Sequence, residues 1–232
     1  MSAPSLTLID ASIGSTPALR NVRRETSLSV IHWKVSEEEM PPVPDSGEWT
    51  DDGVVISGSQ TAVYDDEPWI ERTEAWVRQA VAADVPVLGI CWGHQLLAQA
   101  LGGRVEPMDR YELGYATIDP VADDLLFDGI EDTFVAFESH SDAVIELPDN
   151  ARLLAENERA IQAFRVQNAR GVQFHPEYDI ETARWVVQNK EDELAAERFE
   201  QLLDSITAET HTETASARRV FENFESLVRQ RG

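Results

Sequence analysis

The chain has 232 residues, enough for one large domain with an appendage when an average domain takes roughly 150. Its hydrophobic content of 42%, with six Trp and eight Phe, suffices for a packed core and argues against wholesale disorder. The formal net charge of −24 repels phosphate backbones and anionic membranes, so neither nucleic acid nor membrane is expected as a partner.

The basic residues divide into 17 Arg and two Lys, Lys34 and Lys190. Dense carboxylates with almost no Lys resemble the surface of a salt-adapted, halophilic protein, where high salt screens self-repulsion. There is one cysteine, so no intrachain disulfide can form. Residues Met1 to Asp10 carry no charged leader, and no apolar run approaches the ~18 residues that span a bilayer. The expectation is a cytoplasmic protein.

In chain order, Leu6–Ile9, Leu28–Trp33, Val54–Ile56 and Val85–Ile90 read as buried strands, the last two of the near-continuous apolar kind that parallel sheets require. Glu37 to Pro44 reads as loop. Pro68–Ala83 reads as a helix, with Asp65, Asp66 and Glu67 suiting its positive end and Ile70, Trp76, Val77 and Val81 as apolar positions. Strand, helix, strand in this order predicts an α/β fold, a doubly wound and mostly parallel sheet flanked by helices. From Gly114 to Phe174 short strands follow: Phe134–Phe137, Ala143–Glu146, Arg152–Ala155, Ala160–Val166 and Gly171–Phe174. After Asp179 the pattern is helical, first over Ile180–Gln188. Stripes at Phe199, Leu202, Leu203 and Ile206 and at Phe221, Phe224 and Val228 then flank a break at Thr207–Thr214. This divides the chain into a domain over 1–190 and a helical, acidic extension over 191–232.

Chemistry concentrates where the apolar run Val87–Ile90 meets Cys91-Trp92-Gly93-His94-Gln95. A strand enters a tight turn with Gly on both sides of the cysteine and leaves as a helix, the logic of a nucleophile elbow. Cys91 is thereby presented at a helix N-terminus, where the dipole favours thiolate. A base is supplied by Gly171-Val172-Gln173-Phe174-His175-Pro176-Glu177. His175 can take and return the proton, Glu177 can orient the imidazole, and Pro176 holds His175 in extended geometry. The turn after Val54–Ile56, Ser57-Gly58-Ser59, has amides able to face an oxyanion, together with the amide of Trp92. No Cys pair or paired His spacing marks a zinc site, and no Gly-rich phosphate loop marks a nucleotide; no metal or cofactor is expected.

Gly89 to Gln95 with Ala98 and the Leu101-Gly102-Gly103 turn, followed by Gln173 to Glu177, resembles the class I glutamine amidotransferases, nearest the glutaminase domain of GMP synthase and its stand-alone relatives. The likeness covers roughly Leu6 to Gln188. It implies a γ-glutamyl thioester on Cys91, release of ammonia, then hydrolysis to glutamate. It also implies that Gln95 contacts bound glutamine and that Gly58, Ser59 and the segment Ser139-His140-Ser141-Asp142 line the pocket. The sequence departs from the family in having Gly58-Ser59-Gln60 where a Gly-Gly-Pro turn is often found. No room remains in the tail for a synthetase, so the ammonia acceptor is expected on a separate protein. Two other functions fit the same residues: a partner-independent γ-glutamyl peptide or amide hydrolase, and a non-catalytic regulatory module that keeps the fold.

Overall fold

The computed structural model describes residues 3–44 and 46–231. Nine strands form one mixed sheet in the order β2-β1-β3-β4-β9-β8-β7-β5-β6. Strands β1 (Ser5–Asp10), β2 (Ser29–Lys34), β3 (Gly53–Ile56), β4 (Val87–Ile90) and β9 (Ala169–Val172) are parallel. The antiparallel remainder is β8 (Ile161–Val166), β7 (Arg152–Glu156), β5 (Arg104–Pro120) and β6 (Phe134–Glu146). Every residue of β3, β4 and β9 is buried, which is what continuous apolar runs in central parallel strands predict.

Helices cover both faces. On one face lie α2 (Pro68–Ala82) and α3 (Trp92–Ala100), whose Trp69, Ile70, Trp76, Val77, Leu96 and Leu97 share a core with Val54, Ile56 and Val87. The opposite face carries α1 (Ala18–Glu25) and α7 (Ala215–Arg231). There Val220, Phe221, Phe224 and Val228 pack with Leu6, Leu8, Val55 and Leu88. The fit of α7 is close: a β-carbon on Gly53 would stand 2.6 Å from Val228 Cγ2. A third cluster joins α4 (Ile180–Gln188) and α5 (Ala196–Ser205) to Leu113 and Phe137 of the hairpin, and α6 (Ala208–Glu213) links α5 to α7.

The helix expected at Pro68–Ala83 and the one at Ile180–Gln188 occur within a residue of those bounds. Two features differ. Phe134–Phe137 and Ala143–Glu146 belong to one continuous strand, β6, and its partner β5 begins ten residues before Gly114. A register shift between Pro107 and Glu112 breaks the period-two alternation of β5, so pattern alone does not reveal its length. Within the break at Thr207–Thr214 sits α6, capped by Thr207, whose side chain accepts from the Thr210 amide.

The strand order reverses beside β1: the chain adds β2 on one side of it and then β3 on the other. Ligands in open α/β sheets bind outside the carboxyl ends of the strands near such a switch point. The carboxyl ends of β1, β3, β4 and β9 lead directly into Ser12, Ser57–Gly58, Cys91 and the His175 segment.

Candidate active site

Cys91 sits between β4 and α3 with φ 53° and ψ −104°. A non-glycine residue at positive φ is strained, and the strain persists because the surroundings over-determine it. Two glycines let the turn close. A β-carbon on Gly89 would meet the Gly93 carbonyl oxygen at 2.3 Å, and one on Gly93 would meet the Ile56 carbonyl oxygen at 2.5 Å. The turn sets Cys91 at the head of α3, whose first amides have no helical acceptor. Cys91 Sγ lies 3.6 Å from the Ser139 carbonyl of β6, to which the thiol can donate.

His175 follows β9 and is anchored by its own amide, which donates to the Phe137 carbonyl at 2.8 Å. Its Nδ1 donates to Glu177 Oε1 at 2.8 Å, which leaves Nε2 free of the carboxylate. Tyr178 stacks on the ring, with centroids 3.9 Å apart and planes 18° from parallel. Burial disfavours the charged ring. The opposing charges of Glu177 and Cys91, with the Glu177 hydrogen bond, outweigh it and push the pKa of His175 up to about 10. Arg20 and Arg24 of α1 hold the segment beyond the triad through Asp179, and Arg24 Nη2 also donates to the Glu177 carbonyl.

Gly58 closes the floor. A β-carbon there would stand 3.2 Å from His175 Cε1 and 3.8 Å from Cys91 Cβ, so this turn meets both the cysteine and the imidazole side chains. Among the described residues, the amides of Gly58 and Ser59 donate no backbone hydrogen bond.

All nine residues singled out in the sequence, Cys91, His175, Glu177, Gly58, Ser59, Trp92, Gln95, Ser139 and His140, line one cleft of about 710 Å³. Their side chains differ in placement. The Trp92 ring turns into the core and stacks on Trp69 at 5.4 Å, which leaves its amide rather than its indole for a ligand. The His140 imidazole is buried behind the wall between Glu112 and Glu138. His94 is fully buried against Phe164, and burial pushes its pKa down to about 3, which makes it a neutral core residue. Sequence reasoning missed Tyr178, Glu112 and Glu138. Tyr178 adjoins the Glu177 motif but carries no pattern of its own, and the two glutamates come together only through strand pairing.

The model of the family described as glutamine amidotransferase class-I matches residues 7–191. The glutamine-hydrolyzing GMP synthase of Thermomicrobium roseum is 40% identical over 126 residues, covering 54% of this chain and 23% of that protein. A glutamine-hydrolyzing GMP synthase of Sulfolobus acidocaldarius, named as one subunit of that enzyme, is 37% identical over 129 residues, 54% of this chain and 67% of that one. The match thus spans about a quarter of the full-length GMP synthases. Among solved structures, a glutamine amidotransferase from Thermotoga maritima superposes with a TM-score of 0.80 at 23% identity, covering 96% of this chain and 99% of that one. One from Methylobacillus flagellatus gives 0.80 at 23% identity, over 97% and 95%. The fold, the elbow and the match across most of its length lead to one statement: the chain belongs to the class I glutamine amidotransferase family.

Proposed function

We propose that this enzyme hydrolyses the side-chain amide of glutamine through a γ-glutamyl thioester on Cys91 and passes the ammonia to an acceptor site on a separate protein. The observation that carries the reading is the triad: a strained cysteine at a helix head, facing the same cleft as an imidazole whose Nδ1 is held 2.8 Å from Glu177.

With the proton on the ring, the Cys91 thiolate attacks the amide carbon. Negative charge develops on the carbonyl oxygen and is received by the amides of Trp92, Gly58 and Ser59, a role supported by their position on the cleft wall. Collapse breaks the C–N bond while His175 Nε2 gives its proton to the departing nitrogen, which leaves as ammonia. His175, now neutral, takes a proton from water as the hydroxide oxygen adds to the thioester. Glutamate leaves and the ion pair is restored. Throughout, Glu177 fixes the ring and balances its charge.

A separate acceptor is supported by relatives that are themselves named as subunits, those of Sulfolobus acidocaldarius and Ignicoccus hospitalis. The test is a steady-state assay of glutamine against γ-glutamyl dipeptides with Cys91→Ala as control. Cys91-dependent glutamine turnover is expected. Efficient dipeptide turnover with negligible glutamine turnover overturns the reading in favour of a γ-glutamyl hydrolase. Affinity capture from native lysate at high salt tests the partner, and a synthetase is the expected prey.

A further inference from the structure

The antiparallel register sets Glu112 of β5 directly opposite His140 of β6. His140 Nε2 lies 3.0 Å from Glu112 Oε2 and 3.3 Å from Glu138 Oε2, and its Nδ1 lies 2.9 Å from the Asp142 backbone carbonyl. Both ring nitrogens face acceptors, and only the doubly protonated imidazole can donate to both. Burial opposes that charge, but the hydrogen bond to Glu112 and the proximity of Glu138 outweigh it and push the pKa of His140 up to about 10. Glu138 is completely buried and, among the described residues, neither of its oxygens has an aligned hydrogen-bond partner; burial pushes its pKa up against the lowering effect of His140. An imidazolium set between two buried glutamates offsets part of the cost of burying their charge. Asn157 Nδ2 fixes the remaining oxygen of Glu112 at 3.0 Å.

The Asp142 carbonyl connects this cluster to the cleft. It also accepts from Gln95 Nε2 at 2.9 Å, and the same nitrogen donates to Gln173 Oε1 at 3.0 Å. Both hydrogens of the Gln95 amide are thereby used. Gln95 lines the cleft, and its Oε1 is the part of the amide left for a ligand.

We propose that Glu112 and His140 are a positioning pair for the substrate: the charged imidazole clamps the Asp142 carbonyl, which orients Gln95 so that its oxygen, not its nitrogen, meets bound glutamine. The pair acts through Gln95 and touches no reacting atom. The inference rests on the glutamine-hydrolase reading.

The two ring nitrogens can be separated by substitution, because an Asn amide nitrogen can take the place of Nδ1 and a Gln amide nitrogen that of Nε2. Glutamine affinity is measured by calorimetry in a Cys91→Ala background carrying His140→Ala, His140→Asn, His140→Gln or Glu112→Gln. The kcat and KM of the same substitutions are measured with Cys91 intact. Loss of a charge-assisted hydrogen bond predicts about tenfold weaker binding for His140→Ala and His140→Gln. His140→Asn restores affinity to within about threefold because the bond to Asp142 survives. Glu112→Gln weakens binding in the same direction, and in all four KM changes more than kcat.

If Gln restores affinity as well as Asn, or if affinity ignores His140, the inference fails while the functional reading stands. Stoichiometric divalent metal in the purified protein that His140→Ala loses also overturns it, since Glu112, Glu138 and His140 have the spacing of metal ligands. If the Cys91→Ala parent binds no glutamine, the functional reading fails and takes this inference with it.

Discussion

Glu177 Oε1 stands 2.8 Å from His175 Nδ1, and among the described residues its second oxygen is buried without a partner. The carboxylate is thus committed to the imidazole, and Glu177→Gln tests what it does. Without its charge the imidazolium is less stable. Activity that needs a protonated His175 should persist to about pH 10 in the parent and decline above it. In Glu177→Gln this alkaline limb moves to lower pH, and kcat/KM at neutral pH falls by about 10² or more. A pH–rate profile that is identical in both proteins contradicts the assignment.

The strained backbone of Cys91 predicts a stability effect independent of chemistry. Glycine tolerates positive φ, whereas alanine keeps the strain. Cys91→Gly should therefore be more stable than Cys91→Ala by about 1 kcal/mol, with both inactive. Urea denaturation of the two variants measures the difference, and equal midpoints would show that the turn relaxes.

Gly93 has no room for a side chain, with the Ile56 carbonyl oxygen 2.5 Å from where a β-carbon would stand. Gly93→Ala must push α3 away from β3. A loss of about 1–3 kcal/mol in stability is expected, with a larger loss of activity than of fold because the elbow moves with the helix. Circular dichroism melts beside the glutamine assay separate the two effects.

Much of this was legible in the sequence because the chemistry is local. The run Val87–Ile90 into Cys91 and the segment Gln173–Glu177 each specify a strand end and its functional side chain within a few residues. What brings them together is the pairing of β4 with β9, where Gly89 faces Gly171 and Ile90 faces Val172. The surroundings of His140 were not legible. Its partners depend on the register of a bulged hairpin, and Glu112 lies 28 positions from it with no pattern linking the two. The packing of α7 beneath β1 and β3 was likewise written only as an apolar stripe, at Phe221, Phe224 and Val228, with nothing to say which surface it would meet.

The charge of −24 predicts a salt response. Screening of carboxylate repulsion should raise the melting temperature continuously from low salt to molar KCl, well beyond the concentrations at which ordinary surface pairs are screened. A flat or falling melting temperature over that range removes the halophilic reading without touching the active site.

The central claim is that Cys91 is the nucleophile for the glutamine amide and that His175 activates it. Peptide mass spectrometry after reaction with a glutamine analogue bearing an electrophile at its γ position tests this most directly. The account predicts one label per chain on Cys91, protection by glutamine, and much slower labelling in His175→Asn. Labelling on another residue, or at a rate that neither glutamine nor the loss of His175 alters, would contradict it.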